Sequence, residues 1–384
     1  MSGASAAPPP DTASPPGPPL RPGMPLRIAL LALGALALLT GLCGAMARLG
    51  WSLPHGASLA ALHGPLMISG LFGTLISLER AVALGRGWSY AAPACSGLGT
   101  LALLGGAPEA VTAAAYVLAA AVLVSGSLLI TLQQRAVFTG TLLFGALAWL
   151  AGNVLWLAGR PVPDLVGWWL AFLILTIAGE RLELSRLMQP RRGSEALFLF
   201  AVGLLVVGAQ HGLPTESGAI LFGLAVIVMT LWLVRHDIAR LNIGRTGQTR
   251  FMAACMLAGY TWLGLAGVVL IAFPPNEVAF GYDIALHAVL IGFVLSMVLG
   301  HALIILPAVA RIRLRYAPIL YAPLLLLHVS VALRVGSGLG GWDLGRKGSG
   351  ILTLIALAGF IGSLAVSARQ SRRTGQAAGP GTWA

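Results

Sequence analysis

From residue 27 onward the chain alternates long apolar runs with short polar breaks, and almost all of its arginines fall in or beside the breaks. A helix needs roughly 20 apolar residues to cross a bilayer. The runs predict twelve such helices, at 27–50, 58–84, 88–107, 109–132, 136–159, 163–188, 194–210, 217–235, 250–273, 282–309, 315–336 and 350–367, with the third and seventh shortest. These runs are continuous and not alternating, which argues against the strands of a membrane barrel. The expected fold is all-α, a polytopic membrane helix bundle of about 12 transmembrane helices over 27–367. Residues 1–26 (MSGASAAPPPDTASPPGPPLRPGMPL) are rich in Pro, Ala, Ser and Gly. They lack the apolar material for a core and are expected to be a disordered tail. Nor do they have the basic start and apolar stretch of a cleaved signal peptide. A second tail is expected at 368–384.

Composition agrees with this pattern. Of the 384 residues 57% are hydrophobic and 9% charged, where soluble domains carry roughly 25% charged residues. The net charge of +12 would ordinarily raise the question of nucleic acid. Here its distribution reads as topology. With twelve spans, 19 of the 24 Lys and Arg residues fall on the side of the two termini and five (Arg48, Arg160, Arg334, Arg346 and Lys347) on the other. By the positive-inside rule both termini are cytoplasmic, and no nucleic-acid partner is expected. Cys43, Cys95 and Cys255 lie far apart in apolar segments and form no metal or disulfide spacing.

Ionisable side chains inside lipid are costly and serve as pointers to function. His63 and His287 each lie about five residues below the outer ends of the second and tenth spans, at matched depth. His328 lies about eight residues below the same face. His301 is fourteen residues past His287 and roughly 21 Å deeper. Two histidines from different helices at one depth can hold a haem between them. Gly64, Gly70, Gly73 and Gly292 are expected to leave room for the flat macrocycle. The competing reading is that each histidine hydrogen-bonds across helices and that the glycines allow close helix packing. Asp283, one turn above His287, is positioned to accept its ring N–H, as partners of ligating histidines do, or to be an ordinary interfacial carboxylate.

The stretch LHGPLMISGLFGT, with Met67 four residues after His63, resembles the His-Gly-x-x-Met pattern of haem–copper oxidase catalytic subunits. HAVLIGFVLSM, with His287, Ala288, Gly292 and Met297, resembles the His-Ala-x-x-x-Gly-x-x-x-x-Met pattern of NnrS-type proteins. Those are haem- and copper-containing membrane proteins of about twelve spans, associated with nitric oxide metabolism and denitrification. The resemblance implies a b-type haem ligated by His63 and His287, with Met67, Gly292 and Asp283 beside it, near the outer face of a bacterial inner membrane. It implies a small redox ligand such as nitric oxide, and an electron donor or oxidase as partner. The oxidase copper histidines of the middle spans are missing. Copper would therefore be left with His301 and His328, two ligands where a firm site needs more.

Glu79 with Arg80, and Glu180 with Glu183 and Arg186, cluster at the inner ends of the second and sixth spans. They read either as a proton or substrate path or as an ion-pair network that fixes packing. Asn153, Trp156, Tyr260 and Trp262 are expected to pack. The second, sixth and tenth spans share a direction, which parallels the pseudo-threefold arrangement of haem–copper oxidases. The alternative function is a cofactor-free secondary transporter, for which twelve helices in two sixes would suit.

Overall fold

The computed structural model describes residues 23–185, 192–278 and 280–377. Most of the expected N-terminal tail, the end of the C-terminal one and the side chain of Arg186 lie outside these residues. Within them the protein is helical and has no strand. Eleven helices are long and apolar enough to cross a membrane. That number of apolar helices marks an integral membrane protein.

In chain order the helices are α1 (Met24–Arg48), α2 (Gly56–Leu84), α3 (Ala91–Leu104), α4 (Glu109–Gln133), α5 (Val137–Leu157), α6 (Val162–Ser185), α7 (Arg192–His211), α8 (Glu216–His236), α9 (Gly247–Ala272), α10 (Gly281–Ala310), α11 (Tyr321–Leu339) and α12 (Asp343–Ala377). The eleven long ones are all of these except α3, which is a 14-residue helix entered through a 3₁₀ turn at Gly87–Tyr90. The twelfth span differs most from its expected limits of 350–367. It starts at Asp343, whose carboxylate pairs with Arg346 and Lys347 one turn on, and it continues to Ala377. Charged residues end an apolar run without ending a helix, so the expected C-terminal tail is helical as far as it is described. The eleventh span starts late instead. Residues 311–317 are non-helical, and Pro318 opens a 3₁₀ turn before α11.

Successive helices pack side by side, and α12 returns to touch α1. The helices α2, α6 and α10 meet at the centre. α10 touches both of the others, and Arg80 of α2 reaches Glu180 of α6 at 2.6 Å. α6 is the most enclosed helix, whereas α1, α4 and α12 are among the least. The face of α1 that turns inward carries a run of small residues, Gly34, Ala37, Gly41 and Gly44, between Leu30 and Met46. Without a hydrophobic driving force in lipid, such faces let backbones approach and gain dispersion contacts.

Polar side chains in the interior are tied to one another. Asn153 accepts from Ser69 Oγ (3.1 Å) and Trp169 Nε1 (3.0 Å) and donates to the Tyr116 carbonyl (3.1 Å). The Tyr260 hydroxyl donates to Asp237, and Trp262 donates to His328. Asn153, Tyr260 and Trp262 are thus each bonded to residues outside their own helix. Trp156 is likewise buried, against Tyr116 and Trp169.

Candidate cofactor site

His63 and His287 stand on the two helices that depart from regular α winding. In α2 an α-helical stretch, Gly56–Pro65, passes into π-helix at Leu66–Gly73. In α10 the stretch Gly281–His287 passes into π-helix at Ala288–Leu295. π-helical turns are rare and cluster at functional sites. Here two of them begin just past the two histidines, on helices that touch.

Each histidine lies within about two turns of the start of its helix, so both rings are carried at the same end of the bundle. Their centres are 6.3 Å apart and their planes within 6° of parallel. Each ring has its Nδ1 engaged by the main chain. His63 Nδ1 donates to the Gly41 carbonyl of α1 at 2.8 Å, and His287 Nδ1 to the Asp283 carbonyl, also at 2.8 Å. That fixes the tautomer: Nδ1 carries the proton and Nε2 keeps its lone pair. Among the described residues no hydrogen bond to either Nε2 is seen. A metal–imidazole bond is about 2 Å long and a ring nitrogen lies about 1 Å from its ring centre, so one metal held by both rings sets their centres about 6 Å apart. The observed centre-to-centre distance equals that value, with the two rings in a parallel stack.

Beside the rings is a cavity of about 60 Å³, smaller than ordinary small-molecule and cofactor sites of about 300–1,000 Å³, so a cofactor there would require the surrounding helices to part. Its wall is apolar, with Leu42 and Met46 from α1, Met67 and Phe72 from α2, and Leu290 and Ile291 from α10. Arg334 of α11 and Thr353 of α12 add polar groups. The donor set of two imidazoles in an apolar slot suits a haem, which brings its other four ligands with it, better than a bare ion.

The other expected site residues divide. Met67 lines the cavity. Asp283 sits against His287, its Oδ1 3.2 Å from Nδ1. Gly292 does not leave room for a ligand: a Cβ there would fall 2.4 Å from Trp262, so this glycine seats α9 on α10. Gly70 and Gly73 likewise face Thr100 and Trp149, whereas a Cβ at Gly64 would meet only Val162, at an ordinary 3.5 Å. The small residues that build the site are on α1, where sequence reasoning did not look. A Cβ at Gly41 would sit 2.7 Å from Met67 Sδ, and one at Gly44 only 2.3 Å from the Leu59 carbonyl. The signal available was the small-residue spacing of Gly34, Ala37, Gly41 and Gly44.

His328 and His301 do not join the pair. His328 Nδ1 accepts from Trp262 Nε1 at 2.9 Å, which leaves its proton on Nε2, directed at Ser296 Oγ (3.4 Å). His301 Nδ1 donates to the Met297 carbonyl (2.6 Å), while its Nε2 is buried without a hydrogen-bond partner. Among the described residues no three His, Cys, Asp or Glu side chains group as metal ligands.

An all-helical membrane protein with two inward-facing histidines on adjacent π-containing helices is the class that fold and site define. The chain belongs to the family described as Domain of unknown function (DUF8744), whose model matches residues 27–369. No curated protein matches it significantly.

Proposed function

We propose that this chain is a haem-binding multi-pass membrane protein, with a b-type haem held between His63 and His287. The observation that carries the reading is the pair itself: parallel rings 6.3 Å apart, each with Nδ1 bonded to a main-chain carbonyl, beside an apolar cavity. When bound, haem supplies one-electron chemistry and affinity for diatomic ligands. The protein's part is to hold both imidazoles in one tautomer through Gly41 and Asp283, and to keep water from the slot with Leu42, Met46, Phe72 and Leu290. The NnrS-like spacing of His287, Ala288, Gly292 and Met297 favours a role in nitric oxide or respiratory redox metabolism, with an electron donor as partner. Copper has no comparable support, because His301 and His328 are engaged separately.

The same reading takes the topology to be twelve spans with both termini on the cytoplasmic side of a bacterial inner membrane. Parallel α2, α6 and α10 support twelve, since an odd number of crossings must separate each from the next. This counts α3 as a span. The histidine pair then lies near the outer face.

The test is to purify the protein in detergent from haem-supplied cells and record oxidised and dithionite-reduced visible spectra. A low-spin b-type spectrum, lost in His63→Ala and in His287→Ala, is the expected result. A folded but colourless wild type overturns the haem reading and favours the transporter.

A further inference from the structure

The two imidazoles are not equivalent. His63 Nδ1 meets a single neutral acceptor, the Gly41 carbonyl at 2.8 Å. His287 Nδ1 meets the Asp283 carbonyl at 2.8 Å and also the Asp283 carboxylate, with Oδ1 at 3.2 Å. That carboxylate is fixed in turn from α11, where Arg334 donates through Nε to Oδ2 (2.9 Å) and through Nη2 to Oδ1 (2.7 Å). A carboxylate on the far nitrogen orients a ligating imidazole and raises its basicity. A bidentate arginine gives that carboxylate one geometry.

The backbones differ as well. His63 lies on a short α-helical stretch that follows a left-handed residue, His55 (φ 55°), and includes Pro65, two residues after the histidine. Proline donates no amide hydrogen bond, and this loosens the turn that holds His63. A Cβ added at Gly44 would fall 3.4 Å from the His63 Cβ, so the wall of α1 beside the root of this side chain is main chain alone. Met67, one turn on, presents a flexible thioether to the cavity. His287 has no proline beside it and, although its helix widens at Ala288, its ring is held through Asp283 and Arg334 by α11.

Resting on the haem reading, we propose that the site is built asymmetrically. His287 is the permanent axial ligand and His63 the exchangeable one, so a small neutral diatomic ligand, of the class of carbon monoxide and nitric oxide, enters on the α2 side. With haem bound, the exchange would balance as one neutral ligand for another: His63 would give up its Nε2 contact to the incoming ligand, with no change of charge at the haem and with its proton still on Nδ1. Asp283 and Arg334 are positioning residues that act through His287.

The experiment compares His63→Gly with His287→Gly in the full-length chain loaded with haem, measuring haem retention and ferrous carbon monoxide affinity from visible difference spectra. His63→Gly is expected to keep its haem, become high-spin and bind carbon monoxide at least tenfold more tightly than wild type, because the competing ligand is gone. Added imidazole should return its low-spin spectrum, which also reports that the variant is folded. His287→Gly is expected to hold haem at least tenfold more weakly. Asp283→Asn should lower haem affinity by about 10- to 100-fold and raise the reduction potential. The mirror-image result, with haem kept by His287→Gly and lost by His63→Gly, overturns the asymmetry and leaves the paired site standing. Equal retention and equal carbon monoxide affinity in the two glycine variants overturns it too. A folded wild type that takes up no haem overturns the reading on which it rests.

Discussion

The hydroxyl of Ser96 on α3 donates to the main-chain carbonyl of Ser69, in the middle of the α2 π segment, at 2.7 Å. Ser69 Oγ in turn donates to Asn153 Oδ1 and accepts from Trp149 Nε1 at 3.0 Å. Thr74 also reaches Ser96, at 2.9 Å. In lipid, polar backbone groups that leave regular pairing have no water to turn to. The widened part of α2 is thus bonded from α3 and α5, and the segment that follows His63 is held from outside its own helix.

Ser96→Ala should therefore destabilise the protein by about 1–3 kcal/mol, the usual cost of a buried acceptor that loses its donor. Thermal unfolding in detergent measures it. Ser125→Ala is the control, because that exposed hydroxyl only returns to the Ala121 carbonyl of its own helix. A change in the control as large as in Ser96→Ala would remove the special role given to the Ser96–Ser69 bond.

The two glycines of α1 next to the site should respond differently. At Gly44 an added Cβ meets main chain, the Leu59 carbonyl, at 2.3 Å; at Gly41 it meets the end of the Met67 side chain at 2.7 Å. Main chain has to move as a whole, whereas a thioether can rotate. Gly44→Ala is expected to cost at least the 1–3 kcal/mol of ordinary overpacking, and Gly41→Ala distinctly less. Denaturation midpoints of the two variants compare them, and equal losses would contradict the packing argument.

Much of this architecture was legible in the chain because lipid imposes one simple demand, long apolar runs, and the arginines report their breaks. The meeting of His63 with His287 was legible for the same reason, since equal distance from two helix starts at one end means equal depth. What the runs do not encode is azimuth. Nothing in HAVLIGFVLSM shows that the bare side of Gly292 turns to Trp262. The π winding was invisible too, as LMISGLFG and AVLIGFVL look like ordinary apolar helix. His328 looked like a spare ligand until Trp262, 66 residues earlier in the chain, proved to hold its Nδ1.

At the end of the bundle away from the histidines, the Arg80–Glu180 pair should couple measurably. Its side chains are 22% and 25% exposed and its contact is 2.6 Å, which separates it from surface pairs worth little. A double-mutant cycle of Arg80→Gln and Glu180→Gln is expected to give a coupling of about 1.5–3 kcal/mol, the range of hydrogen bonds to charged groups. A coupling near zero would mean that α2 and α6 are joined there by packing alone.

The sharpest test of the topology concerns α3, the one helix of the twelve too short to count by length alone. Fourteen α-helical residues at about 1.5 Å each and four 3₁₀ residues at about 2 Å each reach about 29 Å, close to the roughly 30 Å hydrocarbon core. The packing asks for the same thing. Arg80 and Glu180 both lie late in their helices, so α2 and α6 run parallel, and three crossings must separate them. His63 and His287 both lie early in theirs, so α2 and α10 are parallel as well, with seven crossings between them. Removing α3 from the count makes both pairings impossible. In a background without the native cysteines, Arg86→Cys before α3 and Gly106→Cys after it should be labelled by an impermeant thiol reagent from opposite sides. The reagent should reach Gly106→Cys in intact cells and Arg86→Cys only after the membrane is opened. Labelling of both from one side would mean that α3 does not cross, and the outer-face position of the histidine pair would fall with it.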